Sequence, residues 1–150
     1  MVRRAPGAPG EERWVSDRGE LRISRPTPLV LLYVESGFLE ADFAPLISRA
    51  MDITLIAPGK PSFFVDAASL EGYEPSIRTT PSGWIKEHGS QITCQHMLVK
   101  SRMARMGLAV AGMLLGAVII GHDKRFTFER ALKEAIASTQ PSSPGRAWQF

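Results

Sequence analysis

One apolar run constrains this chain more than any other feature: Met106 to Gly121, MGLAVAGMLLGAVIIG, sixteen residues without a charged side chain. Lys100, Arg102 and Arg105 stand before it, and His122, Asp123, Lys124 and Arg125 stand after it. As a single helix it would rise about 24 Å, short of the ~30 Å hydrocarbon core of a bilayer. Met103 and Ala104 extend it if Arg105 snorkels to the headgroups. Gly107, Gly112, Gly116 and Gly121 would each cost about 1 kcal/mol relative to alanine in a water-soluble helix, whereas glycine is commoner in transmembrane helices. Gly112 and Gly116 form a GxxxG pair and, with Ala109 one turn earlier, a small-residue stripe for packing on a neighbouring helix. The run predicts one transmembrane helix. Lys100, Arg102 and Arg105 would then meet anionic phospholipid or an acidic partner at one membrane face.

The same residues carry a family resemblance. From His96 to Phe126 the chain resembles the second half of the hypoxia-induced-gene domain, the respiratory supercomplex factors. His96, Lys100, Arg102 and Gly107 fall in register on that family's pattern, and Val110 and Gly116 match its helix. Met106 stands where the family usually has Gln, and Lys100 where it has Arg or His. The resemblance implies a single-pass accessory subunit of the mitochondrial inner membrane. Such a subunit assembles with cytochrome c oxidase or its supercomplexes and catalyses nothing itself.

Composition narrows the alternatives. Eighteen basic and fifteen acidic residues leave a net charge of only +3, and no basic patch is interleaved with aromatics, so nucleic acid is not expected as a partner. One cysteine, Cys94, rules out an internal disulfide framework. His88, His96 and His122 lack the paired spacing of a metal site. No catalytic, cofactor-binding or metal-binding residue is assigned.

The rest of the chain divides by punctuation. Residues 1–27 read as an extended Pro/Gly/Arg-rich arm. Residues 28–60 read as a small βαβ-like unit, with a strand at Pro28–Val34, a helix at Leu39–Ala50 and a second strand at Asp52–Ala57. Residues 61–95 are broken by Pro61, Pro75, Pro81 and Gly83 and read as an irregular linker. Beyond the span at 96–126, residues 127–140 predict an amphipathic helix with Phe128, Leu132, Ala135 and Ile136 on one side, lying on the membrane surface or a partner. Residues 141–150 form a tail. The expected fold is thus a mainly α membrane subunit preceded by a small βαβ-like or irregular region.

Two alternatives remain. The stretch Val34–Gly59 is similar to the opening of the PfpI-type peptidase and glyoxalase family. That resemblance would make Cys94 a nucleophile held by Glu40, although the sequence before Cys94, KEHGSQIT, lacks the apolar strand such an elbow needs. Glu35, Glu40 and Asp42 otherwise read as a solvated turn and helix start. The other alternative is a soluble α/β domain with 106–121 as its central helix.

Overall fold

A computed structural model describes residues 1–116 and 118–140. Its strands form one seven-stranded sheet in sequence order. β1 (Arg3–Ala5), β2 (Glu11–Val15), β3 (Gly19–Thr27) and β4 (Val30–Leu39) make an antiparallel meander. The presumed arm is therefore ordered sheet. Its signal is the period-two alternation of Leu21 and Ile23, both buried, with Glu20 and Arg22.

From β4 onward the sheet is parallel: β5 (Ser62–Tyr73), β6 (Cys94–Leu98) and β7 (Ile119–His122) are added in turn. The apolar run Val30–Tyr33 and the buried run Ser62–Ala67 suit parallel strands covered on both faces. The crossovers are α1 (Ala44–Leu55), α2 (Ser76–His88) and α3 (Arg102–Leu115). Right-handed crossovers that always step in one direction place all three helices on one face. There Phe43, Ile47, Met51, Ile77 and Trp84 pack with Leu31, Tyr33, Phe63 and Val65. The Trp84 indole N–H donates to Asp52 at 2.7 Å and ties α2 to α1. α4 (Arg125–Thr139) follows the last strand and folds over the opposite face, where Phe128 closes a second core with Val30, Phe64 and Leu98.

This architecture overturns the membrane reading. Among the described residues no helix is long and apolar enough to cross a membrane, and the fold is a mixed α/β sheet, not mainly α. The sixteen-residue run is not one rod. Gly116 adopts φ +66° as the left-handed cap of α3, its N–H bonded to the Gly112 carbonyl, and the β-branched Ile119 and Ile120 enter β7. At fourteen residues, α3 rises only about 21 Å.

Other expectations shift for similar reasons. Asp52–Leu55, read as a strand, completes α1, because Ile47, Ala50, Met51 and Thr54 form a continuous buried stripe at helical spacing. The linker 61–95 holds β5 and α2. Pro81 lies inside α2 and is buried. Lacking an N–H, it leaves the Ile77 carbonyl free, and Arg78 Nη1 donates to that oxygen at 3.4 Å. The amphipathic helix lies neither on lipid nor on a partner but on its own sheet, with Ala131, Leu132, Ala135 and Ile136 against the second core.

Candidate functional site

Glu35 is the chemical anomaly of the first core. It sits on β4 with none of its surface exposed, where a solvated turn was expected. An ionised carboxylate there needs a partner, and Arg78 of α2 supplies a bidentate one, Nη2 to Oε1 at 2.8 Å and Nη1 to Oε2 at 3.0 Å. Burial acts to lower the Arg78 pKa, but the Glu35 hydrogen bonds and charge outweigh it, so the net shift is upward. The neighbouring Tyr33 phenol is pushed well above its usual range, first by burial and then by the Glu35 charge.

Arg78 forms part of the wall of a crevice of about 340 Å³. Leu70 and Tyr73 come from the C-terminal half of β5, and Met97, Val99 and Lys100 from the end of β6 and the turn after it. Ala104 and Gly107 of α3 close the remaining side. Because α3 starts straight after β6, with the Ser101 hydroxyl capping the Ala104 N–H at 3.1 Å, its first turns stand over the carboxyl ends of the parallel strands. Crevices at that edge are where open α/β sheets bind ligands. The Tyr73 ring lies under the Arg78 guanidinium, 4.8 Å from its carbon to the ring centroid. No carboxylate, histidine, cysteine or serine is among the lining residues. Among the described residues, Arg78 Nε–H and one Nη2–H have no hydrogen-bond acceptor. The site is an apolar slot with cationic groups on its wall.

The residues singled out in the sequence fall around this slot in unequal ways. Lys100 lines it. Arg102 is exposed at the first turn of α3. Arg105 leans on the β7 edge, 3.8 Å from Asp123, where a Cβ added at Gly121 would lie 2.7 Å from its Cγ. The stripe is not laid out for a partner helix, since Gly112 is buried and Gly116 is the cap. Ala109 is on α3, with its side chain outside what the structure describes.

The PfpI-like pairing does not form. Val30 is in register with Ser62, and Ser62 with Cys94. Glu40, ten residues beyond Val30, is therefore on the order of 30 Å from Cys94 along the strands, and it accepts from Ser16 Oγ at 3.0 Å. Cys94 instead has its Sγ 3.2 Å from His96 Nε2. The histidines read as scattered also meet: His96 Nδ1 and His122 Nε2 are 2.9 Å apart. Twenty-six residues separate them in sequence, and only the β6–β7 register brings them together. Cys94 and His122 address opposite nitrogens of the His96 ring, so the three do not converge, and no group of metal-binding side chains occurs among the described residues.

No protein-family model matches the chain, and no curated protein does. A solved structure does match: the crystal structure of an uncharacterised DUF3478-family protein with a SpoIIAA-like fold, from Shewanella loihica PV-4. It aligns with a TM-score of 0.57 at 11% identity, covering 89% of this chain and 93% of that one. The hypoxia-induced-gene resemblance and the respiratory inner-membrane role drawn from it have no support in these findings. What the likeness establishes is the fold: this chain has a SpoIIAA-like α/β architecture.

Proposed function

We propose that the chain is a non-catalytic binding module for a small amphipathic anion. The observation that carries this reading is the crevice of about 340 Å³ at the carboxyl ends of β5 and β6, with apolar walls and Arg78 and Lys100 among its lining. Its size falls in the range of small-ligand sites. Leu70, Met97 and Val99 would take an apolar body, and Lys100, with the free Arg78 N–H groups, the carboxylate or phosphate head. The lining holds no serine, cysteine, carboxylate or histidine, so it suits holding a ligand and not transforming it.

Thermal unfolding with octanoate and octyl phosphate tests this. Saturable stabilisation is expected, reaching about 2.7 kcal/mol at a hundredfold excess over Kd. Octanol should bind more weakly, and Lys100→Glu should weaken both acids about tenfold or more. Unchanged melting with both acids overturns the proposal, as does equal affinity in Lys100→Glu.

A second reading concerns where such a ligand is collected. Met103 is 83% and Met106 63% exposed on α3, on the same segment as Lys100, Arg102 and Arg105. Exposed methionines among basic residues suit peripheral contact with anionic phospholipid. Co-sedimentation with phosphatidylglycerol vesicles but not phosphatidylcholine vesicles is the expected result; equal recovery from both removes the reading.

A further inference from the structure

One wall of the slot contains a glycine that the fold itself does not require. Glycine weakens a helix interior relative to alanine, because it has more backbone freedom to lose and leaves the backbone open to water. Two structural needs can offset that cost: a positive φ, or a neighbour too close to admit a Cβ. Gly116 shows the first, at φ +66°. Gly121 shows the second, with the Arg105 carbonyl 3.1 Å from where its Cβ would lie. Gly107, in the second turn of α3, shows neither. Its φ is not positive, and among the described residues a Cβ built there would meet no atom within 4 Å beyond its own stretch of helix. Gly83 on α2 is equally unconstrained but does not border the slot.

Gly107 does border it, together with Ala104. Three residues apart on a helix, the two share one face, the face that α3 turns to the slot. Met97 and Val99 form the facing row; two residues apart along the chain at the end of β6, they share a face in the same way. Because β6 and β7 are parallel, α3 must run back from the carboxyl end of β6, and Lys100 stands at the turn that joins the two rows. Gly107 is about 9 Å down the helix axis from Ser101. An extended acid with its head at Lys100 therefore passes Ala104 before it reaches Gly107.

We propose that Gly107 sets the length of acid the slot admits, a reading that rests on the acid site proposed above. Its missing side chain leaves the room in which a medium-length apolar chain continues past Ala104 along α3. The ligand class is thus medium-chain acids, and short acids end before the residue that selects for length. Lys100 and Arg78 act on the head, and Gly107 on the far part of the body.

The test is the chain-length dependence of affinity, followed by NMR titration of the full chain with butanoate, hexanoate and octanoate. In the native chain each further methylene should tighten binding about fourfold as it is buried. Octanoate should shift the Gly107 amide resonance, whereas butanoate should shift that of Lys100 and leave Gly107 unmoved. In Gly107→Leu, butanoate should keep its native affinity while octanoate weakens about tenfold or more. That variant, without ligand, should melt no lower than the native chain, since its Cβ enters open space. Gly107→Ala, which adds only a methyl, should keep most of the octanoate affinity. Lys100→Glu should weaken all three acids alike and preserve the gain per methylene.

If no acid binds the native chain, the acid site falls and the length selection falls with it. If the acids bind and Lys100→Glu weakens them, the site stands and Gly107 is tested alone. An unchanged gain per methylene in folded Gly107→Leu then overturns its role. So does an equal loss of butanoate and octanoate, because a general distortion of the slot ignores length, and so does a Gly107 amide that octanoate leaves unmoved.

Discussion

α3 and α4 both carry apolar residues to the sheet, yet the sheet uses them in opposite ways. α4 lies across the face formed by Val30, Phe64 and Leu98, and its Phe128 keeps only 2% of its surface exposed. α3 touches the sheet mainly at the β7 edge, and every residue from Ser101 to Gly107 is exposed. One helix completes a core; the other borders a slot. The difference teaches that an apolar helical stripe specifies burial without specifying what buries it. A helix attached at one edge is also the one free to serve a ligand.

The sharpest way to break this contrast is to truncate one large apolar side chain in each helix. Phe128→Ala should cost about 3–5 kcal/mol in urea unfolding, whereas Met103→Ala, already exposed, should stay within about 0.5 kcal/mol of the parent. Comparable losses would mean that α3 is as integral to the fold as α4. A smaller effect is expected at the α3–β7 contact. A Cβ at position 121 would meet the Arg105 carbonyl at 3.1 Å as well as its Cγ. Gly121→Val should therefore cost about 1–3 kcal/mol, with amide exchange accelerated in α3 and unchanged in α4.

A further effect is one of pH and arises on the face that α4 covers. The fold holds His96 near 4 against an ordinary 6.5, first through burial and then through His122. Burial and Arg105 also lower His122, against the pull of Asp123. Because both shifts are downward, the unfolded chain takes up protons first on acidification. Stability should be complete above about 6.5 and decline as pH falls towards 4. His96→Gln should flatten that decline, and an unaltered profile would contradict it.

Much of the frame could be read from the residues. The apolar run at Pro28–Val34 marks the central strand β4, and the Phe128, Leu132, Ala135, Ile136 spacing marks α4. The errors arose where one pattern admitted two backbones. Gly112 and Gly116 have the spacing of a helix-packing pair, but Gly116 precedes Val118, Ile119 and Ile120, and a β-branched run after a glycine signals helix end and strand. Asp52–Ala57 alternates like a strand, yet packing of Met51 and Thr54 outweighs that local preference. Pro81 read as a breaker because nothing in the sequence announces that Arg78 would take the carbonyl it frees. The slot and the His96–His122 contact depend on register between distant strands, and no local pattern encodes it.

The brevity of the two border strands has a consequence for self-association. β1 has three residues, two of them arginines, and β7 has four. Runs so short, one of them guarded by like charges, give an incoming chain almost no template for strand addition. A sheet that grows stepwise towards one side thus stops there without inviting amyloid-like polymerisation.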